Sequence, residues 1–213
     1  MKLIITPTSP FARKARILIV EKGLECQTET AMPWDDAPSI ADNNPLRKVP
    51  ILLTDIGTIT GSTLICEYLD ALSPPHFLPS DFAARMAVKA RDEIAQGGLE
   101  SATAVLMAGR VAPAMKDDNW QEWLLSKTRK AIAHFEDESG DGKTGDDKTG
   151  GGKSRIGDAE NPDMADITLA CFLDFITLRM PKMEWQTANP KLAQWFNKIK
   201  TRPSFAQTAP PAA

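Results

Sequence analysis

The residues best placed to do chemistry here are hydroxyls and main-chain groups. Ser9 opens the run Ser9-Pro10-Phe11-Ala12-Arg13-Lys14, where a strand-like stretch gives way to a helix-like one. Pro10 suits the first helical turn and leaves Ser9 as the N-cap. Such a serine either simply caps its helix or sets a hydroxyl among free backbone N–H groups, where a bound anion is stabilised. The second stretch is Arg47-Lys48-Val49-Pro50-Ile51-Leu52. A proline entering a strand cannot donate to the ladder. It marks an edge position, or a cis Val49–Pro50 bond that turns the Val49 N–H and C=O outward to pair with an extended ligand. The third is Gly61-Ser62-Thr63, where Ser62 caps the next helix or that helix N-terminus receives a carboxylate.

The elements around these stretches alternate. Leu3–Thr6 reads as a strand, and Phe11–Lys22 as a helix with Phe11, Ala15, Leu18 and Ile19 on one face and Gly23 at its C-terminal cap. Cys26–Met32 is a second strand and Ala37–Asn43 a helical turn stopped by Asn44-Pro45. Val49–Leu53 and Thr58–Thr60 form a hairpin, and Thr63–Leu72 a further helix. The order is β-α-β-α-β-β-α. Beyond Ser73-Pro74-Pro75 only helical patterns remain: 81–110 with a bend expected at Gly97-Gly98, then 117–138, 164–178 and 191–200. An α/β domain over 1–75 therefore precedes an all-α domain over 80–213.

Composition narrows the function. With 25 Lys+Arg against 28 Asp+Glu the net charge is -3, without the basic excess that nucleic-acid binding requires. No stretch approaches the roughly 20 apolar residues of a membrane span, and the apolar run at the start is too short for a secretory core. The 3 cysteines, Cys26, Cys66 and Cys171, include no CxxC pair, and the 2 histidines, His76 and His134, lack ligand spacing. Neither a redox dithiol nor a His-based metal site is available, and the expectation is a reduced, cytoplasmic protein with no metal. The glycine-rich stretch 139–160 contains Gly142-Lys143-Thr144 and Gly152-Lys153-Ser154, but Asp137 and Asp147 stand where a phosphate loop needs its first glycine. Asp137-x-Ser139-x-Asp141-Gly142 imitates a calcium loop, but Lys148 occupies the position of the bidentate glutamate. The stretch reads as a flexible loop.

Taken together, Ser9-Pro10-Phe11-x-Arg13-Lys14, Asn44-Pro45-x-x-Lys48-Val49-Pro50 and Ser62 with Tyr68-Leu69 resemble the N-terminal, thioredoxin-like domain of the soluble glutathione transferases. The resemblance is nearest to bacterial members with serine in the active-site turn. Asp163-Met164-Ala165-Asp166 looks like the N-capping box of that family's buried core helix, and Trp195 through Arg202-Pro203 like its closing helix. The resemblance implies that Ser9 donates a hydrogen bond to the glutathione sulfur and that Val49 pairs through its backbone with the cysteinyl part, helped by a cis Pro50. It implies that Ser62 takes the γ-glutamyl carboxylate, that Lys48 meets the glycine carboxylate, and that Phe11 and Gly61 border the tripeptide. Gly61 departs from the pattern, because the family usually places an acidic residue there for the γ-glutamyl ammonium. An acid from elsewhere, Asp70 or a dimer partner, would have to compensate.

The resemblance further implies a cytoplasmic, homodimeric detoxification enzyme that joins the glutathione thiolate to a small electrophile. Its electrophile pocket would lie between the domains, near Met107 and Arg110. Two other readings stay open: a catalytically idle glutathione transferase-like binding protein, and a glutathione-dependent reductase, which Ser9 disfavours because it cannot form a mixed disulfide.

Overall fold

Leu3, Ile4 and Ile5 are β-prone and at most 3% exposed, which makes Lys2–Ile5 (β1) an inner strand. The computed structural model describes residues 1–111, 117–139, 156–157 and 159–211. Of the stretch 139–160, residues 140–155 and 158 lie outside the described residues, so the loop expectation made for them does too. After β1 come α1 (Pro10–Glu21), β2 (Gln27–Thr30), α2 (Pro38–Ala41), β3 (Ile51–Thr54), β4 (Gly57–Thr60) and α3 (Ser62–Leu72). The sheet order is β2-β1-β3-β4, with β2 parallel to β1 and the other two pairs antiparallel. This is the expected β-α-β-α-β-β-α domain.

Alternation along the strands builds two layers of core. Ile4 and Ile51 point to one face, where Ala31 and Ile40 of α2 complete a small cluster with Val49 packed against it. Leu3, Ile5 and Leu52 point the other way, toward α1 and α3, which pack on each other. Gly23, at φ +59°, ends α1 as expected. It lets Leu24 N–H reach Ile19 C=O (3.0 Å) and Gly23 N–H reach Val20 C=O (3.1 Å), closing the last turn.

The second unit, Pro79–Lys200, is helical. It holds α4 (Phe82–Val111), α5 (Asp118–Glu138), α6 (Met164–Arg179), a 3₁₀ turn (Pro181–Met183), α7 (Trp185–Ala188) and α8 (Pro190–Ile199). α6 is buried all round from Met164 to Ile176, as a helix apolar on every side must be. Its N-terminus carries the expected capping box. Asp163 Oδ1 accepts from Asp166 N–H (3.1 Å) and Asp166 Oδ2 from Asp163 N–H (2.9 Å). Arg91 of α4 pairs with the remaining Asp163 oxygen and lies 3.8 Å from Asp166. Gly157 N–H donates to Asp166 Oδ1 (3.0 Å). On α5, Glu138 also lies near Arg91, with His134 Nε2 3.1 Å from its carboxylate.

α4 runs unbroken as a helix through the glycine pair 97–98, and Gly98 packs tightly against its neighbours. A Cβ there would meet the Phe172 ring at 2.8 Å and Ala131 Cβ at 2.9 Å, while one on Gly97 would meet nothing within 4 Å. The chain end differs from the 80–213 grouping, because Thr201–Ala213 belongs with Met1–Leu78. This tail includes α9 (Pro203–Gln207). The outer face of α1 carries Arg13, Arg16 and Glu21, whose charges need partners, and the tail supplies them. Arg13 donates to Phe205 C=O (3.2 Å) and Arg16 to Thr208 C=O (3.2 Å). Glu21 accepts two bonds from Arg202 (2.8 Å each) and one from Ser204 (2.6 Å). The Arg202 bonds hold the Glu21 carboxyl below its ordinary range.

Gly98→Ala is expected to cost about 1–3 kcal/mol by overpacking, outweighing the ~1 kcal/mol helix-propensity gain that Gly97→Ala collects unopposed. Urea unfolding of both variants checks the opposite signs. Burial, reinforced by the Asp163 charge, pushes the Asp166 carboxyl up to about 7. Between about pH 4 and pH 7 the folded chain thus keeps a proton that the unfolded chain has released, so stability falls as pH rises through that window. Unfolding midpoints across this range should show that decline in the wild type and a flatter profile in Asp166→Asn.

Candidate functional site

Register alone brings the three chemical stretches to one end of the sheet. Ile51, at the start of β3, lies opposite Ile4 near the end of β1 and opposite Thr60 at the end of β4. The turn after β1, the Val49-Pro50 approach to β3 and the Gly61-Ser62 exit from β4 therefore leave the sheet at the same edge. Ser9, Phe11, Lys48, Val49, Pro50, Gly61 and Ser62 all lie in the first unit. Met107 and Arg110 lie in the last turns of α4 in the second, Met107 half-buried and Arg110 exposed.

Ser9 is the N-cap of α1. Its Oγ accepts from Ala12 N–H (3.2 Å) and its own N–H donates to Thr6 C=O (2.9 Å). A hydroxyl that accepts through a lone pair still has its O–H to give, and among the described residues no acceptor takes it. Thr6 is spent elsewhere, donating to Ala31 C=O (2.9 Å), and Thr8 is exposed. Phe11, in the first turn of α1, is half-buried.

The Val49–Pro50 bond is cis, one of the two readings that its sequence allowed. Val49 is half-buried with its side chain on the Ile4 cluster, Pro50 is buried and Lys48 is exposed. Main-chain N–H and C=O groups of Val49 find no partner among the described residues. The residue that sequence reasoning undervalued is Asn44, read as a helix stop and as part of the family motif but given no role in the site. It is 3% exposed, its Oδ1 accepts from Leu46 N–H (3.0 Å) and its Nδ2 donates to Lys48 C=O (2.8 Å). The signal was present in Asn44-Pro45, since asparagine before proline initiates turns through its own side chain.

At α3 the expected cap is shifted by one residue. Gly61 is the N-cap, at φ +89°, and Ser62 is the first helical residue with no side-chain capping bond. The positive φ suits glycine because it has no Cβ. Ser62 is 6% exposed, with no hydrogen bond from its hydroxyl among the described residues. A Cβ at Gly61 would meet nothing within 4 Å, so the place where the resemblance puts a carboxylate is open.

Asp70 does not fill that place. It is 5% exposed, and its carboxylate accepts from Phe77 N–H (2.6 Å) and Leu78 N–H (3.2 Å) with Lys22 at 3.8 Å. Lys22 also donates to the carbonyls of Asp70 (3.2 Å), Pro75 (2.7 Å) and Ser73. Burial holds its ammonium below the usual range against the opposing pull of Asp70. This cluster seals the C-terminus of α3 and is structural.

No thiol of the chain reaches this edge. Cys66 and Cys171 are buried, and Cys26 precedes β2 at the opposite end of the sheet, where burial pushes its thiol up. Among the described residues no group of three or more His, Cys, Asp or Glu side chains gathers to hold a metal, and no helix is long and apolar enough to cross a membrane. What the edge offers is a hydroxyl donor, two helix N-termini and an unpaired strand approach, a set suited to an extended, anionic peptide-like ligand.

A four-stranded mixed sheet with an N-capped α1, followed by a helical domain, defines a thioredoxin-like domain joined to an all-α one, and the comparisons agree. The glutathione S-transferase N-terminal domain family matches residues 3–77 and the corresponding C-terminal domain family residues 117–198. The chain belongs to the glutathione S-transferase family. A glutathione S-transferase from Methylobacillus flagellatus, crystallised with glutathione bound, is 30% identical over 99% of both chains, with a TM-score of 0.85. A glutathione transferase family member from Pseudomonas fluorescens, also with bound glutathione, is 28% identical over 99% of each, with a TM-score of 0.84. The uncharacterized GST-like protein YibF of Escherichia coli is 29% identical over the full length of both.

Asp70→Asn leaves only one side-chain oxygen for two buried N–H groups and removes the charge facing Lys22. It is expected to lower stability by about 1–3 kcal/mol, read from urea unfolding.

Proposed function

We propose that the chain is a glutathione transferase in which the Ser9 hydroxyl stabilises the glutathione thiolate. The observation that carries the reading is the Ser9 geometry: an N-cap whose Oγ is already fixed by Ala12 N–H (3.2 Å) and whose proton has no acceptor among the described residues. Relatives crystallised with glutathione support the ligand. The magnitudes are adequate. A free thiol ionises near pH 8.5, and lowering that by about two units takes ~2.7 kcal/mol. A hydrogen bond to a charged group supplies about 1.5–3 kcal/mol, and a helix N-terminus about 0.3–1 kcal/mol more. Ser9 abstracts no proton, so no histidine is needed beside it.

In this reading Val49 pairs through its main chain with the cysteinyl residue of glutathione. Ser62 and the α3 N-terminus take the γ-glutamyl carboxylate, Lys48 the glycine carboxylate, and Phe11, Pro50 and Gly61 border the tripeptide. The thiolate lone pair then forms a carbon–sulfur bond with a small electrophile, and the leaving group departs with its bonding pair. Met107 and Arg110 are the proposed electrophile contacts. Resemblance to the family supports a homodimer acting in the cytoplasm. A second reading, a catalytically idle family member that binds a partner protein or a small anionic ligand, is favoured by one observation: Gly61 brings no carboxylate for the γ-glutamyl ammonium, and Asp70 is committed elsewhere.

Thiolate absorbance of bound glutathione against pH, with turnover of a reactive aryl halide, tests both readings. Ser9→Ala is expected to raise the thiol pKa by roughly one to two units and cut turnover at neutral pH about tenfold or more, with affinity changing far less. Thr8→Ala is the control and should match the wild type. An unshifted Ser9→Ala curve removes Ser9 from the role, while a wild type that neither retains glutathione nor turns over the aryl halide leaves the idle binding protein.

A further inference from the structure

We propose that Asn44 is a positioning residue of this site: its buried carboxamide sets the direction of the Val49 N–H, and so the strength of glutathione binding. The proposal rests on the glutathione reading of the site. Four hydrogen bonds converge on Asn44. Its main-chain N–H donates to Ile40 C=O (2.9 Å) at the end of α2, and its C=O accepts from Arg47 N–H (2.8 Å). Its Oδ1 accepts from Leu46 N–H (3.0 Å), and its Nδ2 donates to Lys48 C=O (2.8 Å). One side chain thus spans residues 44–48.

The last of these bonds reaches the proposed site. Lys48 C=O and Val49 N–H belong to one peptide group, which is not among the cis bonds of the chain. In a planar trans peptide the two groups point in opposite directions. Drawing Lys48 C=O inward to Asn44 therefore turns Val49 N–H outward, and no acceptor takes it among the described residues. The Val49 side chain, packed on Ile4, Ala31, Ile40 and Ile51, fixes the other side of the same residue. The rest of the loop supplies little restraint. Arg47 sits at φ +50°, and its ion pair with Asp36 joins side chains that are 57% and 67% exposed, where water screens the attraction. Positive φ at a non-glycine residue persists only where the surroundings impose it, and Asn44 is the buried group that does so here.

Two substitutions isolate the bond. Asn44→Asp keeps an acceptor for Leu46 N–H but sets an oxygen against Lys48 C=O. Asn44→Ser loses the Lys48 bond without adding charge, and it carries the test where the aspartate variant does not fold. The probes are glutathione itself, titrated calorimetrically, and steady-state turnover of an aryl halide. Both variants should raise the Kd and KM for glutathione about tenfold, as loss of a buried hydrogen bond implies, with kcat at saturating glutathione within about twofold because Ser9 is untouched. Leu69→Ala, a truncation of a fully buried side chain in α3, is the destabilised control; it should lower the melting temperature and leave KM unchanged. A wild type that binds glutathione beside Asn44 variants that bind equally well overturns this role alone. A KM increase no larger than that of Leu69→Ala does the same. A wild type that binds no glutathione overturns the function reading and this role with it.

Discussion

The pairing of Ile51 with both Ile4 and Thr60 is the constraint on which the rest of the first unit depends. Because side chains alternate along a strand, slipping β3 by one residue would turn Ile51 out of the cluster it shares with Ile4 and Ile40 and put Leu52 in its place. The same slip would carry Val49 away from the turn that holds Ser9. Core packing and site assembly are thus one requirement. The hydrophobic pattern enforces it strongly, since Ile4, Ile51 and Leu52 are all fully buried.

Charge is used differently in the two kinds of place that matter. Buried ionic groups sit at seams: Lys22 with Asp70 at the end of α3, and Arg91 with Asp163 at the start of α6. Each closes a helix terminus whose main-chain groups would otherwise be orphaned. The proposed site relies instead on a hydroxyl, a main-chain N–H and two helix N-termini. Such dipoles keep their orientation without a counter-ion, and a carboxylate or thiolate arriving there meets donors already pointing at it.

Much of this was legible in the sequence because local rules decide it. Ser9 before Pro10, Gly23 after an amphipathic helix and the Asp163–Asp166 spacing are each settled within one turn of chain, and the structure has all three. The hidden features were those settled by distant packing. Gly98 reads locally as a weak point in a helix, but its role comes from Phe172, far along the chain. Ser62 reads as a cap, but the backbone turns one residue earlier, where Gly61 alone has the freedom to do so. Asn44 reads as a stop signal because sequence does not show where its carboxamide points. The tail after Thr201 looks like a continuation of the helices, since nothing local links Phe205 or Thr208 to Arg13 and Arg16.

The tail also imposes an order on biosynthesis. As the chain leaves the ribosome, β1 to α3 emerge first with the outer face of α1 carrying Arg13, Arg16 and Glu21 uncovered. Their partners at Arg202, Ser204, Phe205 and Thr208 are translated only after the whole helical unit. The first unit therefore reaches its final set of contacts last. The opening helix, whose N-cap is Ser9, gains its closing contacts only after residues 202–208 have been made, some 180 residues after the helix itself.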